Sequence, residues 1–334
     1  MSMLHVFSKF ENDIVLKEKT AFVIDPFISG LIPFEEDGLT RDGEVSRSTI
    51  LTFLNISSGD LKFTTDRKNE NLVMKTESGA SLKTPFKVIA DHLDFPRHTD
   101  VLQTITINWE EFSKVLNLAA NIAKMGTVTA HPETLGVVFE GNSVYSTDLS
   151  GCFVYFDLEM STPIEGRYVF NKPHVKIILE WMKAFGDPSV LNIYPDNIIQ
   201  IVWQNGAILS IQCPYISKPL PLNKIVEKAL EKEKIEFSKE FKNVILEISR
   251  LDNKLEIDGK LITSSKSNSY SYKHELKYSI SDSRCTIYNL PEINKFAELT
   301  DYISNPIDEI TVMVSADKKI MYIFSPKFIT QPGG

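Results

Sequence analysis

The chain has 334 residues, 43% apolar and 24% charged, with 36 Lys and Arg against 44 Asp and Glu for a net charge of −8. That length is too great for one ordinary core and fits two or three domains. No apolar stretch approaches the roughly 20 residues that cross a bilayer, and the N-terminal residues lack the apolar centre of a signal peptide. A soluble, cytoplasmic protein with no membrane association is therefore expected. Cys152, Cys213 and Cys285 are far apart and odd in number, which fits neither a disulfide framework nor a zinc site and predicts buried thiols. The negative total speaks at first against nucleic acid, but a total says nothing of how charge is distributed.

In chain order, MLHVFSKF (3–10) reads as a short helix with Leu4 and Phe7 inward. Extended runs and a turn-rich stretch lead to a second helix, RSTILTFLNI, that places Ile50, Phe53 and Leu54 on one side. Residues 58–85 then alternate in runs broken by an Asp and a Gly-Ala turn and end at Pro85. FPRHTDVLQT is polar and broken by Pro96, so it reads as a linker closing a first domain over 1–100.

Asn108 caps the next predicted helix, over 108–124, in which Phe112, Val115, Leu116, Ala119 and Ala123 keep the helical period. TLGVVFEG and SVYSTD form a hairpin about a Gly-Asn turn. NKPHVKIILEWMKAF is a further helix, with Pro173 near its start and Gly186 past its end. Residues 187–214 repeat the pattern of 58–85, and 307–326 give it a third time in shorter form, at a spacing of about a hundred residues or slightly more. A second linker, YISKPLPL, ends a domain over 101–218. The third, 219–334, opens with NKIVEKALEKE and has PEINKFAELTDYIS as its second helix. The fold class is α+β: three similar domains, each with two helices on antiparallel sheets, six helices in all.

The helices sort their charges. Lys114, Asn117, Asn121 and Lys124 line the face opposite Phe112; Lys172, His174, Lys176 and Lys183 share the polar side of the next helix. Lys224, Lys228 and Lys232 fall at four-residue steps opposite Ile225, Val226, Ala229 and Leu230. One such face is an ordinary solvated surface, and Glu227 and Glu231 can pair with the lysines beside them. Repeated on several equivalent helices, it is a surface that meets phosphates without reading bases.

Catalytic signatures are missing. The six histidines have no metal-ligand spacing, the Gly-Ala and Gly-Asn pairs are hairpin turns, and no nucleophile motif occurs. Binding or scaffolding is expected, with no catalytic residues, no metal and no cofactor.

The order helix, TLGVVFEGNSVYSTDLSGCFVYFDLE, helix, strand trio resembles the middle domain of the bacterial DNA polymerase III beta-subunit sliding clamp. Thr147-Asp148 stands where that family has a Thr-Asp pair at a strand end, and MYIFSPKF resembles its last strand; FSKFENDIVLKEKT is more like the first strands of phage clamps. The resemblance implies a processivity factor: a head-to-tail ring of two three-domain chains around double-stranded DNA, placed by a clamp loader, with helices lining the hole. Lys114, Lys124, Lys172, Lys176, Lys183, Lys224, Lys228 and Lys232 then face DNA. It also implies a groove for a polymerase peptide, carried over by position to Thr147, Asp148, Leu149, Pro214, Ile323, Ser325, Pro326 and Phe328. The chain departs from the family in having Leu149-Ser150-Gly151 after the Thr-Asp pair and Ser325 before the final Pro. A phage-encoded clamp would act in the host cytoplasm. The alternatives are a β-rich structural protein of a virion and an enzyme whose site assembles from scattered residues.

Overall fold

The computed structural model describes the chain apart from residues 1–2, 35–37, 57–60, 67, 69, 77–78, 90–92, 124–130, 150, 217, 266–269, 280–284, 305–309, 325–326 and 329–334. The fold is α+β. Among the described residues the α-helices are α1 (Arg47–Ile56), α2 (Trp109–Ala120), α3 (Lys172–Phe185), α4 (Leu222–Glu231), α5 (Lys239–Ser249) and α6 (Leu290–Ala297). Two compact units emerge, one of Met1–Ser113 with Glu159–Tyr215 and one of Lys114–Leu158 with Ile216–Gly334.

The first unit is built on an eight-stranded antiparallel sheet. Its order is Gly43–Val45, Ile14–Lys17, Thr20–Ile24, Ile28–Pro33, Ile208–Gln212, Ile198–Val202, Val190–Tyr194 and Gln103–Ile105. The middle joint pairs strands far apart in sequence, Ile28 opposite Ile211 and Leu31 opposite Ile208. The α3 helix buries Val175, Ile178 and Trp181 completely. Trp181 packs among Phe7, Phe10, Phe185 and Trp203, and its indole N–H donates to the Val6 carbonyl at 3.2 Å. Gly30 is required beneath it, since a Cβ there would lie 2.5 Å from the indole ring. Residues 94–99 form a strap along this sheet. Phe95 packs edge-on to Phe22, the His98 ring lies 5.2 Å from that of Tyr194, and Lys17 pairs with Asp94 at 2.8 Å.

The second unit repeats the plan. Its strands run in the order Gly136–Gly141, Ser143–Thr147, Gly151–Tyr155, Ile320–Phe324, Thr311–Val314, Tyr302–Ser304 and Lys234–Glu236. The middle joint sets Gly151 opposite Phe324 and Tyr155 opposite Ile320. A second sheet orders Ser271–Glu275, Leu261–Ser265, Lys254–Asp258, Cys285–Tyr288 and Lys327–Phe328. The Ser238 hydroxyl caps α5 by accepting from the Phe241 N–H at 3.2 Å. Phe241, Val244, Ile245 and Ile248 are buried on α5, which packs against α6.

Many local expectations match. Asn108 Oδ1 accepts from the Glu111 N–H at 3.2 Å, and the Gly186 N–H closes α3 on the Met182 carbonyl. Gly79, Gly141 and Gly206 take positive φ in their turns, and all three cysteines are buried. Others are corrected. MLHVFSKF is a 3-10 helix, Met3–Lys9. The helix that packs on α6 is α5, unpredicted from the sequence; NKIVEKALEKE forms α4, a separate helix before it. PEINKFAELTDYIS stops at Ala297, and its end becomes the strand Tyr302–Ser304. Lys232 lies beyond α4 in extended backbone, because the Lys234 ammonium closes the helix on the carbonyls of Ala229, Leu230 and Lys232. Leu230 is exposed, while His174 is buried and not on a polar face.

Candidate functional site

The basic surface comes from helix periodicity. On α2 the exposed line is Glu110, Lys114, Asn117 and Asn121. Lys124 lies outside the described residues. On α3 Lys176 and Lys183 are exposed and Lys172 is half-buried at the first turn. On α4 Lys224 and Lys228 are exposed, with Glu227 and Glu231 between and after them. These helices belong partly to different units. Sequence reasoning missed α5, whose outer face carries Lys239, Asn243 and Glu247, followed by exposed Arg250. The signal was present: a Ser cap and apolar residues at 241, 244, 245 and 248. The short strand Lys234–Glu236 parts this helix from α4.

The second predicted site forms at the middle joint of the second unit. The strand Ser143–Thr147 ends there. The Thr147 hydroxyl donates to the Gly151 carbonyl at 2.7 Å and accepts from the Leu149 N–H at 3.1 Å. Asp148 Oδ1 accepts from the Gly151 N–H at 2.8 Å. This is an Asx-type turn, in which a short polar side chain fixes the backbone. It holds Leu149 at φ 74° with 63% of its surface exposed, an unusual setting for a large apolar side chain. Gly151 starts the strand that pairs with Phe324, and Cys152 stands opposite Ile323.

The joint thus brings Thr147, Asp148 and Leu149 together with Ile323. Thr147 and Ile323 are buried, so they form the base and Leu149 the projecting part. Ser325 and Pro326 lie outside the described residues; Phe328 is placed by its backbone, opposite Cys285. Pro214 belongs to the first unit. Below the turn, the Tyr322 ring stacks on Phe296 at 4.4 Å and its hydroxyl donates to Glu292 at 2.8 Å. Burial and the Glu292 carboxylate push the Tyr322 phenol well above its usual range, and burial pushes the Cys152 thiol up to about 12. Neither group is poised to ionise near neutrality. Among the described residues no group of three or more His, Cys, Asp or Glu is placed to hold a metal ion, and no helix is long and apolar enough to cross a membrane.

No protein-family model matches the chain, and no curated protein matches it in sequence. Solved structures do. The DNA polymerase sliding clamp of Pseudomonas aeruginosa superposes with a TM-score of 0.78 at 9% identity, over 98% of this chain and 96% of that one. This chain has the sliding-clamp fold. The clamp of Caulobacter crescentus gives 0.77 at 10% identity, over 98% and 94%. The Helicobacter pylori beta clamp bound to a DNA ligase peptide gives 0.73 at 15% identity, over 98% and 96%. At such identities the likeness lies in the clamp fold, and the side chains of the turn at Leu149 are this chain's own.

Proposed function

We propose that the chain is a DNA polymerase processivity factor: a sliding clamp that encircles duplex DNA and acts by containment, with no chemistry of its own. The observation that carries this reading is end-to-end likeness to clamps across nearly the whole of both chains. The exposed lysines of α2, α3 and α4 support it, since a sequence-independent DNA contact needs mobile cations rather than base-reading groups. A ring cannot leave DNA sideways, so affinity can stay low and sliding fast.

The clamp works as a head-to-tail dimer of three-domain chains, 1–100, 101–218 and 219–334, placed on DNA by a loader. Each middle joint seals one domain to the next with a strand pair, which explains why two compact units emerge from three domains. Lys114, Lys124, Lys172, Lys176, Lys183, Lys224, Lys228 and Lys232 face the hole. Leu149 and its turn receive a peptide of the replicative polymerase, over the base formed by Thr147 and Ile323. The Helicobacter pylori clamp, solved with a ligase peptide, supports the idea of a peptide site. As a phage protein it would serve in the host cytoplasm.

The test is solution mass with particle imaging, then retention on nicked circular DNA after loading, with release when the circle is cut. A ring of two chains retained only on the closed circle is expected. A monomer without a hole that binds linear and circular DNA alike overturns the reading and favours a structural protein.

A further inference from the structure

The middle joint of the second unit has a counterpart in the first. The chain passes from Ile24 to Ile28, as from Thr147 to Gly151, over three residues that begin with Asp. The Asp25 N–H donates to the Ile28 carbonyl at 3.0 Å, and the Asp148 N–H to the Gly151 carbonyl at 3.3 Å. The strand that follows pairs in both cases with one from much later in the chain, Ile28 opposite Ile211 and Gly151 opposite Phe324. In the first unit the strap 94–99 lies over this joint and leaves a cleft of about 550 Å³, a volume in the range of binding pockets.

The cleft has a floor and two unlike ends. Phe22 is buried beneath Phe95 at one side, and half-buried Leu31 and Ile208 on the next two strands pack against that pair and form the accessible floor, with buried Gln200 on a fourth strand at its edge. The row from Phe22 to Gln200 crosses four strands at ~4.8 Å spacing, with half-buried Leu31 and Ile208 in its middle. The strap crosses the strands in the same direction. Phe95 packs on Phe22, and His98 lies 3.4 Å from the Ser210 hydroxyl and beside Tyr194. At the Phe22 end Lys17 is neutralised by Asp94 at 2.8 Å, and Glu18 adds a negative charge. At the other end Arg97 is exposed beside His98. The cleft is thus apolar in the middle and cationic at the His98 end.

From this polarity we infer that the cleft is a second docking site, for an extended segment of a partner protein carrying one large apolar side chain followed by acidic residues. The apolar side chain fills the floor against Leu31 and Ile208. The carboxylates meet Arg97 through charge-assisted hydrogen bonds. The arrangement lies wholly within the first unit, whereas the turn at Leu149 belongs to the second.

The experiment uses the full chain with Leu149→Asp, which closes the other site. Fluorescein-labelled Gly-Gly-Phe-Asp-Asp and its analogue Gly-Gly-Phe-Lys-Lys are titrated by fluorescence anisotropy, with hydrogen exchange followed at residues 94–99. The acidic peptide is expected to bind and to protect the strap. Arg97→Glu is expected to weaken it at least tenfold, and the lysine analogue to bind at least tenfold more weakly. Absence of binding at millimolar peptide, equal binding of the two peptides, or unchanged affinity in Arg97→Glu would each overturn the site. The processivity reading is left intact by all three, since it is judged on ring formation.

Discussion

The hydroxyl of Tyr322 occupies the space that a side chain at Gly151 would need: a Cβ built on Gly151 lies 2.5 Å from Tyr322 Oη. Glycine at 151 is therefore a packing requirement of the joint, because Tyr322 is held by its stack on Phe296 and its hydrogen bond to Glu292. Gly151→Ala must displace the ring or the strand, and overpacking of this kind costs about 1–3 kcal/mol. Thermal melts should show the loss. Adding Tyr322→Phe removes the clashing oxygen, so the double variant should lose less than the sum of the two singles. Strict additivity would show that the two residues do not compete for this space.

His174 sets a pH limit. It is 8% exposed on α3, and burial lowers its pKa from 6.5 to about 4. The unfolded chain takes up a proton as pH falls through 6.5, while the folded chain resists until about 4. Stability is thus intact above pH 6.5 and declines between 6.5 and 4, by up to about 3 kcal/mol in total. Urea melts at pH 7 and pH 5 measure it. His174→Met should flatten the difference across that window; an unchanged difference would assign the acid sensitivity to other groups.

Where one element decides its own form, the residues foretold it. Asn108 and Gly186 sit at the ends of α2 and α3, and Phe112, Val115 and Leu116 face inward as their period requires. Tertiary partners decided the rest. His174 looked like part of a lysine face, yet it is buried among apolar neighbours on its own helix. The period of Lys224, Lys228 and Lys232 runs past the helix end because Lys234 folds back on the last carbonyls. At the joint, Thr147-Asp148 was legible as a motif. The register that sets Cys152 against Ile323 brings together strands about 170 residues apart, and no local pattern encodes it.

The basic helix faces predict a salt dependence. Each phosphate neutralised adds roughly 0.9 to the slope of log affinity against log salt. Changing Lys114, Lys176 and Lys228 together to Glu should lower the slope for a DNA duplex by about 3 and impair loading, while circular dichroism stays that of the parent. Lys228→Glu alone tests α4, the helix that stands apart from the α5–α6 pair. A triple variant with the parent slope would take these lysines off the DNA-facing surface.

Leu149 offers a test in which stability and binding part ways. At φ 74° a leucine is strained by about 1–2 kcal/mol, and glycine is at ease there. Its side chain is 63% exposed, so removing it sacrifices little packing within the fold. Leu149→Gly should therefore melt at the same temperature as the parent or slightly higher. If the side chain supplies the apolar contact for a polymerase peptide, the same change should weaken that peptide at least tenfold by calorimetry. Leu149→Asp should do so more strongly and still form rings. Undiminished affinity in both variants would place the polymerase contact elsewhere on the clamp and leave the turn at Thr147-Asp148 as a structural link between strands.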